Sequence, residues 1–227
     1  MYLLKLARLL AIGVLTTLPV AAKADVVDFR SVIAAAPSAS VLMGDQLAQS
    51  RARTYPFHIT LEVPNTSGEV TVAAMFPEDG WLAEFFYHVD GQQLLEYGTL
   101  SFATVDMLPP EERMQAIFDV IETQVYPTIG APEDADILGG RLVTVGPYQA
   151  IEFISIFNSE ELGMSSARIV AVVPPAGPHV LVVIQQTALT RLGVGDVNEL
   201  PETFVGQILS SVSFVAARDE TGTLVPF

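Results

Sequence analysis

Apolar and polar positions alternate with a period of two through most of the chain, and two stretches keep the spacing of a helix instead. Beyond Tyr55-Pro56, Ile59, Leu61 and Val63 share one face while His58, Thr60 and Glu62 share the other, which is the pattern of a half-buried strand. Pro64-Asn65-Thr66-Ser67-Gly68 turns the chain, residues 70–76 return as a strand, and the two runs are expected to pair as a hairpin. Residues 84–89 and 94–105 flank Asp90-Gly91 and predict a second hairpin, because that dipeptide accepts the positive φ of a two-residue turn. Pro109-Pro110-Glu111-Glu112 then opens a helix carrying Met114, Ile117, Phe118, Ile121 and Val125 on one stripe, ended by Pro127 and Gly130. Four further strands are predicted over 137–145, 150–157, 168–173 and 179–187. Within the last, Val180-Leu181-Val182-Val183-Ile184 is apolar on both faces and is placed in the middle of the sheet, covered on each side. A second helix is expected from Pro201, with Phe204, Val205, Ile208, Leu209 and Val212 inward.

Strands joined by short turns rather than by helices pair antiparallel. The predicted fold is α+β: a largely antiparallel sheet with two principal helices. Residues 54–215 form one domain, residues 25–53 a poorly patterned lead-in, and residues 216–227 a loose tail. The lead-in admits two readings, a tether or a part of the body.

Residues 1–24 read as an export signal. Lys5 and Arg8 charge its front, a mostly apolar run from Leu9 to Val20 follows, and Ala22-Lys23-Ala24 supplies the small-x-small pattern for cleavage before Asp25. The apolar run is shorter than the roughly 20 residues of a membrane span, so a soluble periplasmic or secreted product without stable membrane insertion is expected. The leader holds three of the 11 basic residues and none of the 26 acids, so its loss takes the formal charge from −15 to about −18. All remaining basic residues are scattered arginines, which argues against nucleic acid and anionic lipid as partners, since both are bound through clustered positive charge. The chain has no cysteine, so a hydrophobic core has to supply the stability that disulfides lend other exported proteins. Thiol nucleophiles, thiolate metal sites and dithiol redox chemistry are excluded with them.

The helix over 111–125, the strand pair 139–157 joined by Gly146-Pro147-Tyr148-Gln149-Ala150, the strand ending in Val182-Val183-Ile184, and the closing Phe204-x-x-Gln207-Ile208-Leu209-Ser210-Ser211-Val212-Ser213-Phe214 together resemble the Mog1/PsbP-like family, which implies an α/β/α sandwich. The correspondence spans about 131–214. Pro77-Glu78-Asp79-Gly80-Trp81 echoes the family's proline-glycine-tryptophan segment only loosely. None of these motifs is catalytic, and the resemblance implies an accessory or binding role.

Candidate chemistry is sparse. His58, His88 and His179 have no local metal-site spacing and read as surface or strand-end residues. No Gly-x-Ser-x-Gly elbow is present, and the chain beyond the leader has no lysine, which removes Ser-x-x-Lys, Schiff-base and P-loop chemistry. Gly193-Val194-Gly195 reaches Asn198 where a dinucleotide fingerprint needs glycine, and reads as a loop. Glu133, Asp134 and Asp136 beside Gly139-Gly140 are the candidates for a calcium ion, against an ordinary acidic loop. Trp81, Phe85, Phe86 and Tyr87 are the candidate binding surface. Glu152 shares a strand face with Ala150, Ile154 and Ile156, so its charge needs a partner, and Arg168 or Arg141 on neighbouring strands is expected to form a structural ion pair with it.

No catalytic or cofactor-binding residue is assigned. The expected protein is an exported, monomeric, non-enzymatic binding or accessory protein acting on a periplasmic protein or small ligand. A hydrolase with a metal or paired carboxylates assembled from distant residues is the alternative, and an envelope protein held to its partner through 25–53 is a third reading.

Overall fold

A computed structural model describes residues 26–33, 38–43, 58–66, 69–74, 81–89, 93–104, 110–126, 132, 134–159, 162–174, 179–218 and 224–226. The leader with its cleavage site and Glu133 lie outside the described residues. The chain runs α1 (Phe29–Ile33), β1 (Ser38–Met43), β2 (His58–Pro64), β3 (Glu69–Ala74), β4 (Trp81–Val89), β5 (Gln93–Thr104) and α2 (Pro110–Val120), which widens into a π-helical turn over Ile121–Val125. It continues with β6 (Asp136–Val145), β7 (Tyr148–Ser159), β8 (Gly163–Val172), β9 (His179–Thr187), α3 (Leu189–Leu192), a 3-10 turn over Val197–Glu202, α4 (Phe204–Ser210), β10 (Ser213–Arg218) and β11 (Leu224–Pro226).

Two antiparallel sheets result. The larger has seven strands in the order β3-β4-β5-β9-β8-β7-β6, and the smaller has four in the order β1-β2-β10-β11. The doubly apolar strand β9 stands at the centre of the larger sheet, between β5 and β8. Alternation sends Leu181 and Val183 to one face and Val180, Val182 and Ile184 to the other. The inner face packs on the smaller sheet and α4, where Phe85, Leu100, Ile154, Val170 and Val172 meet Ile59, Leu61, Phe204, Ile208 and Phe214. On the outer face Ile151, Phe153, Ile169 and Ala171 meet Ile117, Ile121 and Val125 of α2 and its π-helical turn. The fold is therefore α+β with the main sheet covered on both sides, as the sequence pattern predicts. Each fully buried aliphatic or aromatic side chain contributes about 1.5–3 kcal/mol, and cysteine-free stability rests on these two clusters.

The hairpin expected between the strands at 58–64 and 69–74 does not form. β2 pairs with β1 and β10 in the smaller sheet while β3 pairs with β4 in the larger. Ile59, Leu61 and Val63 are buried between the sheets, and the backbone partner on one side arrives from far along the chain, with Ser213 opposite Thr60. The second hairpin forms as β4 and β5.

The lead-in packs onto the body where it is described. Phe29 and Ile33 are buried in the inner cluster, Val27 N–H donates to Arg191 O at 2.7 Å, and β1 extends the smaller sheet. The expected loose tail likewise carries a strand, β11, paired with β10 through Ala216 and Val225, because β10 otherwise ends the sheet with open backbone groups. The helix expected from Pro201 divides in two: Pro201 lies in the 3-10 turn, Thr203 is extended at φ −71°, ψ 174°, and α4 starts at Phe204. Tight contact fixes α4 in place. A Cβ on Gly98 of β5 would stand 2.6 Å from Val205 Cγ1, so glycine is what lets the helix settle on the sheet. Tyr148, at the β6–β7 turn, accepts the Phe214 N–H at 3.0 Å and stacks edge-on against the Phe214 ring at 4.8 Å, which ties the two sheets together.

Candidate functional site: a buried polar row and a half-buried aromatic cluster

Most inward positions of β5 to β9 are aliphatic, and the exceptions form one line. Glu96 on β5, Gln185 and Thr187 on β9, Arg168 on β8, Glu152 on β7 and Arg141 on β6 all occupy inner-face positions of neighbouring strands. Register joins them: Glu96 stands opposite Thr187, Gln185 opposite Arg168, and Glu152 opposite Arg141. The segment 196–205 lies across the row.

At one end, Glu96 is 1% exposed and its carboxylate is saturated with donors. Oε1 accepts from Thr203 Oγ1 at 2.6 Å, Gln185 Nε2 at 2.7 Å and Thr187 Oγ1 at 2.9 Å, and Oε2 accepts from the Val205 N–H at 3.0 Å. Val205 is the second residue of α4, so a carboxylate from a distant strand caps the helix in place of the Thr203 side chain. Burial pushes the Glu96 carboxyl above its ordinary range, and the bonds from Thr203, Val205, Gln185 and Thr187 pull the other way without cancelling it. Tyr87, opposite Glu96, is fully buried, its hydroxyl has no hydrogen-bond partner, and burial with the nearby Glu96 charge raises it to about 12.

In the middle, Arg168 Nη1 donates to Gln185 Oε1 at 3.0 Å and Arg168 Nε to Glu152 Oε1 at 2.6 Å. Glu152 Oε2 accepts from Arg141 Nε at 2.5 Å, and Arg141 Nη1 reaches Asn198 Oδ1 at 3.3 Å. Glu152 therefore holds both of the arginines named from sequence, one on each oxygen. Burial lowers the Arg168 guanidinium below its usual range, with Glu152 opposing. Arg141 is half exposed, whereas Arg168 and Glu152 are buried.

The two buried carboxylates do not make an acid pair. Glu96 and Glu152 lie three strands apart and four residues out of register, roughly 20 Å between their backbones, with Gln185 and Arg168 between their carboxyl groups, where the paired acids of glycosidases stand about 5–9.5 Å apart. The row instead stitches five strands together and pins 196–205 on top of them.

A second cluster lies on the outer face of β4 and β5. Tyr97 Oη donates to Glu84 Oε1 at 2.8 Å, and the Phe86 ring lies 5.0 Å from Tyr97 and 6.3 Å from His88. All four side chains are half-buried. Burial first, and the Glu84 carboxylate second, raise the Tyr97 hydroxyl above its usual range. On the same face the Thr99 hydroxyl is buried without a partner. Aromatic faces beside a carboxylate and a phenol can stack on a planar or sugar ring and accept its polar hydrogens.

This corrects the binding surface read from sequence. Phe85 and Tyr87 are fully buried on the inner face, because alternation along β4 turns them into the core, and only Phe86 of that trio faces outward. The Trp81 side chain lies outside the described residues. The histidines stand far apart along the backbone: His88 pairs with Leu94 and His179 with Thr104 at opposite ends of β5, and His58 is in the other sheet. Asp134 and Asp136 are exposed, and among the described residues no three His, Asp or Glu side chains come together as a metal-binding group. No described helix is long and apolar enough to cross a membrane. Sequence reading passed over Glu96 and Gln185, although each is a polar residue at the buried parity of an apolar strand, which is the signal that singled out Glu152.

No family model and no curated protein matches the chain. Solved structures with a similar fold include LpqN, involved in cell envelope biogenesis of Mycobacterium tuberculosis, at 13% identity and a TM-score of 0.37, covering 66% of this chain and 86% of that one. They also include the Ran-binding protein Mog1p of Saccharomyces cerevisiae, at 14% identity and a TM-score of 0.42, covering 76% of this chain and 95% of that one.

Proposed function

We propose that this is an exported periplasmic protein that binds a protein or small ligand and carries out no reaction of its own. The observation that carries the reading is the closure of the polar row. Glu96, Gln185, Arg168 and Glu152, the charged and amide groups whose environment most resembles that of catalytic residues, are between 1% and 4% exposed, and each is bonded to the next. A carboxylate saturated by internal donors offers no free lone pair to a substrate, and a general acid or base has to approach within about 3 Å of the reacting atom. Export rests on the leader, and the acidic composition, free of lysine beyond that leader, suits a soluble envelope protein.

The aromatic cluster of Phe86, His88, Tyr97 and Glu84 is the proposed contact surface. A photoreactive phenylalanine analogue at position 86, tested in living cells, is expected to give one discrete crosslinked species, with the protein recovered from the periplasm starting at Asp25. The same analogue at exposed Glu122, on the π-helical turn that follows α2, is expected to give none. Crosslinks of equal yield from both positions, or recovery of the uncleaved chain from the cytosol, contradict the reading.

A further inference from the structure

β6 is an edge strand that exposes three large aliphatic side chains. It ends the seven-stranded sheet, pairs only with β7, and is exposed along most of its ten residues. Ile137 is 59% exposed, Leu138 49% and Leu142 73%. Natural edge strands are guarded by lysine, proline, shortness, a bulge, an inward-pointing charge or a covering loop. β6 is long for an edge strand and has neither lysine nor proline, and its guards are the bulge between Ile137 and Gly139 and the inward-pointing Arg141.

Its register carries a further property. Ile137 pairs with Ser155, Gly140 with Phe153 and Leu142 with Ile151, so the irregularity between Ile137 and Gly139 brings Ile137 onto the same sheet face as Gly140 and Leu142. Measured along β7, the two exposed aliphatic residues lie two positions to either side of Gly140. A two-fold axis at Gly140 therefore sets Ile137 of one copy against Leu142 of the other, twice, with a side-chain-free glycine at the centre. Such a self-matching strip is what an isologous interface requires. Charge favours the same choice of partner. On a molecule of net charge −15, about −18 without the leader, most surfaces of two copies repel, whereas the two charged residues of β6, Asp136 at its start and Arg141, lie on the opposite face, with Arg141 bonded to Glu152.

We propose that β6 is a homodimer interface, in which two copies pair their β6 strands antiparallel about Gly140 and join their larger sheets into one, in place of the single copy expected from sequence. Backbone bonds across the new ladder supply the attachment and the two Ile137–Leu142 contacts set the register.

Sedimentation equilibrium of the expressed and processed protein in 0.15 M salt is expected to give twice the single-chain mass at micromolar concentration. Leu142→Lys is expected to weaken association at least about tenfold while the melting temperature of the separated chain stays unchanged, because Leu142 is mostly exposed in a single copy. Val26→Lys, at an equally exposed apolar site elsewhere, leaves the dimer intact. The register has its own test in a chain without cysteine. The double variant Ile137→Cys, Leu142→Cys should form a disulfide-linked dimer on mild oxidation, since the two sites in one copy are too far apart along the strand to bridge. A single-copy mass up to about 100 μM, weaker than any working micromolar interface, overturns the proposal. So does equal dissociation by Val26→Lys, or a double-cysteine variant that stays uncrosslinked.

Discussion

Replacing Glu96 by glutamine tests whether the buried row is as closed as its geometry indicates. The substitution keeps the shape of the side chain but gives up the ability to carry charge. It also turns an acceptor into a donor against the Val205 N–H or the Thr203, Thr187 and Gln185 donors. One mismatched buried donor costs about 1–3 kcal/mol, a sizeable part of the 5–15 kcal/mol of a typical domain. The pH dependence is more diagnostic than the size. Burial holds the folded-state carboxyl above its unfolded value. Above about pH 4.3, the unfolded chain has therefore lost this proton while the folded chain retains it. The stability associated with the protonated form is fully present below that pH and is lost as pH rises through the folded value, at up to about 1.4 kcal/mol per pH unit. The glutamine variant lacks this contribution, and the other acids cancel when the two proteins are compared. Urea unfolding followed by circular dichroism between pH 4.5 and 8 should thus show the wild type ahead at the acid end and its lead shrinking as pH rises. A constant lead refutes the reasoning, and a growing one reverses it, because it would mean that the site favours the ionised carboxylate.

Three other substitutions probe the packing around the row. Gly206→Ala places a Cβ 1.9 Å from Leu200 O, a backbone atom that cannot step aside, and is expected to cost about 3 kcal/mol in urea unfolding. Ile208→Ala opens a hole between the two sheets and should cost about 2–5 kcal/mol. Tyr148→Phe removes the acceptor of the Phe214 N–H while keeping the ring contact, and a loss of about 1–2 kcal/mol is expected; hydrogen exchange at the Phe214 amide should rise with it.

The strands were legible because alternation and length are local properties of the sequence. Val180-Leu181-Val182-Val183-Ile184 could be placed at the sheet centre for the same reason, since a strand apolar on both faces has to be covered twice. Strand pairing was legible only where a tight turn decided it. Asp90-Gly91 joins true partners, but Pro64 to Gly68 joins β2 to a strand of the other sheet, because β10 brings a competing edge from about 150 residues away that no local signal announces. The aromatic run on β4 was misread for a related reason. Parity tells that Phe85 and Tyr87 share a face and that Phe86 takes the other, but it does not tell which face is the core until the smaller sheet is in place. Glu152 could be read as a paired charge from its own strand, since arginines stood at the same parity on the next strands. Glu96 was hidden because its donors come from β9 and from the start of α4, which are assembled only by the fold.

The account holds that this row of buried charge is part of the architecture and not a reaction centre, and the stability of Glu152 and Arg168 variants tests that most directly. Residues kept for chemistry commonly strain a fold, so replacing them raises or preserves stability. Residues kept for structure lower it when one partner is removed. Glu152→Leu is expected to cost about 3–5 kcal/mol by leaving Arg168 buried without its counter-charge, Arg168→Met is expected to cost less because Glu152 keeps Arg141, and the double variant should recover most of the Glu152→Leu loss. Single variants that unfold at the wild-type urea concentration, or above it, contradict the account.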